Sequence, residues 1–139
     1  MLKKLLLYVT SLSCLLIAEN IKNSDLNGNW HLRVMDGMEV RKARAILDFD
    51  IDKMKLSGFD ACNPISATLI KNSKYYIQTS MLFSTRMACR NNIHKWVSKR
   101  LHVALKEGFS IKEDKKYGVE GITLKSSSHE LFLKRMKRD

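Results

Sequence analysis

Short segments in which apolar and polar residues alternate dominate this chain of 139 residues. The clearest segment is 45–52, where every second residue is apolar and the residues between them include three aspartates. Successive side chains of a strand point to opposite faces, so this pattern indicates a β-strand with one buried face. Residues 30–34 alternate in the same way and precede Asp36-Gly37, a pair that favours a two-residue hairpin.

The period of the pattern changes in segment 92–106. There the apolar residues recur at helical spacing, at Ile93, Trp96, Val97, Leu101, Ala104 and Leu105. Asn91 or Asn92 can cap the start, and Gly108 stands where a helix ends. One amphipathic helix is predicted, with Trp96 as its main anchor.

The remaining strand signals complete a mainly β fold. Further strands are expected at about 39–44, 54–59, 65–70, 74–79, 109–112, 119–125 and 130–134. Gly58 within one of them indicates a bulge or a close backbone approach. Seven to nine short strands and one helix predict a small antiparallel barrel-like sheet with the helix over an opening.

The N-terminal residues 1–18 are typical of a secretory signal peptide. Lys3 and Lys4 precede an uncharged apolar stretch that is shorter than the roughly 20 residues a membrane span needs. Cleavage after Ala18 would leave a polar leader, 19–25, and one domain, 26–139, in the periplasm or cell envelope. The alternatives are an uncleaved anchor, a buried helix, or a lipoprotein modified at Cys14.

Cleavage would leave two cysteines, Cys62 and Cys89. Two thiols in an exported protein usually pair, and a disulfide closing such a loop contributes roughly 3 to 4 kcal/mol. The alternatives are two buried free thiols, a zinc site that includes His94, or a redox enzyme with a reactive Cys89 between Arg86 and Arg90.

The formal net charge is +11, which favours contact with anionic surfaces. An anion-binding face is predicted from one basic stretch, formed by Arg86, Arg90, Lys95, Lys99, Arg100 and Lys106. The alternative is a solvated helix face. Expected partners are phospholipid head groups, lipopolysaccharide or an acidic envelope protein, with peripheral membrane contact. Nucleic acid is not expected after export, and self-repulsion favours a monomer.

No catalytic constellation is found, so an enzyme, a cofactor and a metal are not expected. The aspartates of segment 45–52 lack the later residues of a calcium loop, and the four histidines stand beside no nucleophile motif. Tyr76 and Phe83, with Tyr75, Met81 and Leu82, could line an apolar cavity of a small β-barrel that binds lipid or another apolar ligand. The alternative is that these residues fill the core.

Six segments, in this order, resemble the META domain family, which includes HslJ-like heat-shock proteins of the bacterial envelope. They are Leu26-Asn27-Gly28-Asn29-Trp30, 45–49, Ser57-Gly58 with Cys62-Asn63, Thr85-Arg86-Met87-Ala88-Cys89, 122–124 and 131–135. Two features depart from the family pattern: Ala61 replaces a glycine, and residues 91–95 lack the usual acidic residue at the start of the helix.

The resemblance implies a small, barrel-like, mostly β domain with one helix and an exported or envelope location. It implies no established enzyme activity. The expected function is a binding or structural role in envelope maintenance or stress tolerance. A lipid-binding barrel and a basic protein-interaction module are the alternatives.

Overall fold

The structure, a computed structural model, describes residues 23–73 and 76–137. Its elements are α1 (Asn23–Leu26), β1 (Gly28–Met35), β2 (Met38–Glu39), a 3-10 turn (Arg41–Ala43), β3 (Ile46–Asp50), β4 (Lys55–Phe59), β5 (Pro64–Ser73), β6 (Tyr76–Ser84), α2 (Asn92–Glu107), β7 (Phe109–Lys116), β8 (Val119–Lys125) and β9 (Glu130–Arg135). The predicted signal peptide and Cys14 lie outside the described residues, as does most of the polar leader.

All nine strands belong to one antiparallel sheet in the order β2-β1-β3-β4-β5-β6-β7-β8-β9. Strand β1 also pairs with β9, so the sheet closes into a ring. The first half of β1 pairs with β3 and its second half with the short β2, while β9 lies along most of its other edge. The predicted mainly β fold with one amphipathic helix is confirmed, since α1 is a single turn.

The inward side chains of the ring form the core. In β3, Leu47 and Phe49 are each 1% exposed and the residues between them are half-buried, as the alternation predicts. The Phe49 ring meets Phe109 edge-on, with 6.3 Å between centroids. Trp30 is buried, and its indole N–H donates to the Leu26 carbonyl at 2.7 Å, which fixes α1 against β1.

Helix α2 lies across one end of the ring. Asn91 caps it by accepting from the His94 N–H, and it ends at Gly108, where φ is 87°. Its side chains make polar contacts with the β1–β2, β4–β5 and β8–β9 turns, which share one end of the antiparallel sheet. The predicted helix and its ends are confirmed.

Trp96 has a smaller role in the core than predicted. Val97, Leu101 and Leu105 are fully buried beneath α2, whereas Trp96 is half-buried and packs at the edge of the core. The helical turn explains this: Trp96 lies about 100° round from Val97, on the flank of the helix.

The expected strand at 39–44 is wrong beyond Glu39, because the 3-10 turn follows β2. Val40 and Ala43, three residues apart, are both buried, and one tight turn places both in the core. At Gly58 the expected close approach is confirmed, since a Cβ there would lie 2.0 Å from the Ile46 carbonyl oxygen.

Candidate functional site

The two cysteines form a disulfide. The sulfurs of Cys62 and Cys89 are 2.03 Å apart, with 4.7 Å between the Cα atoms. The bond ties the turn between β4 and β5 to the segment between β6 and α2. The predicted pairing is confirmed.

Asn63 links the same two segments through its side-chain amide. Its Oδ1 accepts from the Thr85 hydroxyl at 2.9 Å and from the Met87 N–H at 2.6 Å. Its Nδ2 donates to the Met87 carbonyl at 3.2 Å. One side chain thus satisfies both backbone groups of Met87, and the disulfide follows two residues later. We call segment 85–90 the clasped segment, and the disulfide together with the Asn63 hydrogen bonds the clasp.

Asp60 fixes the other segment that the clasp joins, which is the turn between β4 and β5. This residue is 1% exposed, and its Oδ1 accepts from the backbone N–H groups of Cys62 at 2.7 Å and Asn63 at 2.6 Å. Its Oδ2 lies 2.6 Å from His102 Nε2 on α2. Burial raises the pKa of Asp60, but hydrogen bonds from His102, the two N–H groups and Ser98 together lower the pKa below its usual value. Ser98 contacts the Asp60 carboxylate and not the His102 imidazole, which would be its base. The Asp60 cluster therefore holds the backbone of the β4–β5 turn in position.

Three large apolar side chains are exposed within seven residues at the end of β6 and in the clasped segment. Met81, Phe83 and Met87 are 69%, 62% and 67% exposed. The β5–β6 register shifts between Ser66 and Thr68, and Met81 has a φ of 52°. This bulge puts Met81 and Phe83 on the outside, while Leu82 between them packs on the core. A local cluster of this kind marks a candidate contact surface.

An open groove of about 920 Å³ runs beside this cluster over the outer faces of β3 to β5. A cross-strand row of Asp48, Ser57 and Ser66 leads to Phe83. Met81 and Phe83 form its apolar end, and polar side chains form most of the rest.

The structure separates five of the six basic residues of the predicted anion-binding face into two groups. Arg86 and Arg90 are exposed on the clasped segment, and Lys95 and Lys99 are exposed one turn apart on α2. Arg100 lies about 100° round the helix from Lys99. It is 4.0 Å above the Trp96 ring and 3.9 Å from Asp36. Within the described ranges, the first four make no ion pair.

Tyr76 and Phe83, the predicted cavity residues, are not brought together. The Tyr76 hydroxyl donates to the Glu107 carbonyl at 2.7 Å, near the start of β6. Phe83 lies seven residues further along, about 20 Å away in an extended strand, and faces solvent.

Sequence reasoning did not identify the carboxylates whose hydrogen bonds link distant segments of the chain. Besides the Asp60 contact, Asp36 Oδ2 lies 2.6 Å from His129 Nδ1, and Glu107 accepts from three consecutive serines. The two residues in each contact are far apart in sequence. The only sequence signal for such a contact is the presence of polar residues in the turns. Across residues 23–73 and 76–137, no group of three or more acidic, His or Cys side chains is placed to hold a metal.

The model of the META domain family matches residues 22–138, which is nearly the whole chain. The protein belongs to the META domain family. A search of curated proteins found no match.

A similar fold is seen in two solved structures. The NMR structure of a protein from Burkholderia xenovorans has a TM-score of 0.65 and 17% identity, covering 88% of this chain and 93% of that one. A second NMR structure has a TM-score of 0.65 and 24% identity, covering 83% of this chain and 95% of that one. Both likenesses concern the fold. In the part of this META domain that the structure describes, no helix has the length and apolar character that crossing a membrane requires.

Proposed function

We propose that this META domain is an exported, non-enzymatic binding protein that serves envelope maintenance or stress tolerance. Its clasped segment docks on anionic phospholipid at the surface of a membrane. The observation that carries the proposal is the position of Met81, Phe83 and Met87 on the same stretch of chain as Arg86 and Arg90, two exposed cations that make no ion pair among the described residues.

The two kinds of side chain have complementary roles at a membrane surface. Exposed apolar side chains enter the boundary between head groups and acyl chains, and nearby cations are attracted to anionic lipid. Each Lys or Arg close to such a surface contributes about 1 kcal/mol. Arg86 precedes Met87 directly and Arg90 lies three residues after it, so one segment presents both kinds of contact.

The clasp supports binding rather than chemistry. Asp60 accepts from the backbone N–H groups of Cys62 and Asn63, and the Asn63 side chain bonds both backbone groups of Met87. A loop that is already ordered loses little conformational entropy when it binds. The Cys62–Cys89 bond also supports export, because disulfides persist in oxidising compartments.

Vesicle co-sedimentation of the oxidised mature chain tests the proposal. Vesicles of phosphatidylcholine alone are compared with vesicles that also contain anionic phosphatidylglycerol. We expect binding to the anionic vesicles, weakened by salt. Two double variants, Arg86→Gln with Arg90→Gln and Phe83→Ser with Met87→Ser, should each lower the affinity about tenfold or more.

The matched control is Lys112→Gln with Lys115→Gln, which removes two exposed cations from β7 and should lower the affinity less. Equal binding to neutral and anionic vesicles would overturn the proposal. Binding that depends on the arginines but not on Phe83 and Met87 would instead favour a basic protein-interaction module.

A further inference from the structure

A second concave surface lies on the far side of the ring, on the outer faces of β1, β8 and β9. It is a pocket of about 340 Å³ lined by Arg33, Val34, Gly37, Glu39, Arg41, Lys116, Tyr117, Val119 and Phe132. In the closed sheet, β9 and β1 are separated from β6 by at least two strands on either side. The pocket is therefore distinct from the clasped segment.

The floor of the pocket is apolar and packed. Phe132 and Val34 are paired between β9 and β1, and they are 2% and 9% exposed although they face outward. The Phe132 ring lies over Gly121, where a Cβ would be 3.0 Å from two ring carbons. Val119 and the largely exposed Tyr117 complete the apolar wall.

The rim of the pocket is basic. The β1–β9 register shifts between Leu32 and Val34, and this bulge sets Arg33 at the edge of the pocket. Arg41 and Lys116 stand on the same rim, with Glu39 as the acidic member of the lining. Lys116 already bonds Glu130 at 2.9 Å, so the two arginines carry the charge available to a ligand.

Two buried nitrogen atoms beside the pocket lack a partner. They are Nε of Arg33 and Nδ1 of His31, neither of which has a hydrogen bond within the described residues. Burial lowers the pKa of Arg33, and the charge of Arg41 lowers the pKa further. Burial and the same two arginines lower the pKa of His31. An anion placed between the arginines would relieve this repulsion.

We propose that this pocket binds a small organic carboxylate with an apolar body. The guanidinium groups of Arg33 and Arg41 hold the carboxylate, since their planar donors match its two oxygens. The apolar body covers Val34, Val119 and Phe132. The volume is near the lower end of the roughly 300 to 1,000 Å³ of ligand pockets, which suits a medium-chain or single-ring carboxylate.

The test is an NMR titration of the mature chain with octanoate, with octan-1-ol and acetate as matched probes that lack the charge or the apolar body. We expect saturable octanoate binding, with shift changes centred on Val34, Val119 and Phe132. Octan-1-ol should bind about tenfold more weakly or worse, because it cannot form the charge-assisted hydrogen bond, which contributes about 1.5 to 3 kcal/mol. Acetate should bind at least as weakly, because it lacks the apolar body, whose burial contributes about 0.8 kcal/mol per CH₂ group.

Arg33→Gln and Arg41→Gln should each lower octanoate affinity about tenfold. Arg41 is exposed, so its variant keeps the test valid even where Arg33→Gln disturbs folding. Arg86→Gln with Arg90→Gln is the control and should leave octanoate binding unchanged, which separates this site from vesicle docking. Equal affinity for octanoate and octan-1-ol, shift changes centred on Phe83, or no saturation would overturn the proposal.

Discussion

At the scale of single residues, Glu107 shows how one carboxylate stabilises a junction. It ends α2, where the helix dipole disfavours a negative charge. Its two oxygens accept hydrogen bonds from the hydroxyls of Ser126, Ser127 and Ser128 and from the Ser128 N–H. The bond from Ser128 is the largest cause that lowers the pKa of Glu107; partial burial opposes it, and the net pKa is about 2. The ionised side chain ties α2 to the β8–β9 turn.

We expect Glu107→Gln to reduce stability in a pH-dependent way. The folded pKa lies below the ordinary value of 4.5, so the ionised side chain stabilises fully above that value and loses its effect as pH falls towards 2. Urea midpoints of wild type and variant should differ at pH 7 and converge between about pH 4.5 and 2. Glu113→Gln, on exposed β7, is the control. A difference that stays constant with pH would refute the assignment.

At the scale of elements, the clasp joins a turn of the sheet to the segment entering α2. The disulfide provides a covalent bond, and Asn63 adds hydrogen bonds to both backbone groups of Met87. Asp60 connects the same turn to α2 through His102. The sheet therefore holds the projecting segment in place while leaving the Met87 side chain in solvent.

Asn63→Ala should destabilise the oxidised protein by about 2 kcal/mol or more, because it leaves the Met87 N–H and the Thr85 hydroxyl without their acceptor. Asn72→Ala is the matched control: it removes one exposed bond to Gln78 and should cost about 0.5 kcal/mol or less. Urea denaturation without reductant measures both. Equal costs for the two variants would show that the disulfide alone holds the segment.

At the scale of the whole molecule, closure of the ring determines what is inside. Strand β9 joins β8 to β1 and contributes Leu131 and Leu133 to the core, where they are 1% and 0% exposed. Without β9, the edges of β1 and β8 and the inner face between them would be exposed to water. Because each strand except the short β2 pairs with at least two neighbours, the domain should unfold in one cooperative transition.

A chain that ends at Ser128 should lose this cooperative transition, because it lacks the closing strand. A chain that ends at Met136 keeps the bond from the Met136 N–H to the Asn29 carbonyl and should unfold like the complete chain. Thermal unfolding followed by circular dichroism distinguishes the two. A sharp transition in the shorter chain would mean that the remaining strands fold without closure.

The sequence by itself determined the elements and the covalent bond. The elements were predicted from local patterns: alternation in segment 45–52, helical spacing in 92–106 and the glycine at Gly108. Each pattern is typical of one backbone conformation, so it predicts one type of element. The pairing of Cys62 with Cys89 was predicted because two thiols usually pair in a protein that is expected to be exported. Trp96 was misjudged because periodicity alone does not show which edge of a helix faces the core.

The tertiary structure alone decided which distant residues meet. The Asp60–His102 contact, the pocket between Arg33, Arg41 and Phe132, and the outward position of Met81 depend on strand register, on a bulge in β1 or β6, and on ring closure. A shift of one residue in register turns a strand's side chains to the opposite face. Register is set by the packing of all nine strands together, so no local stretch of sequence contains it.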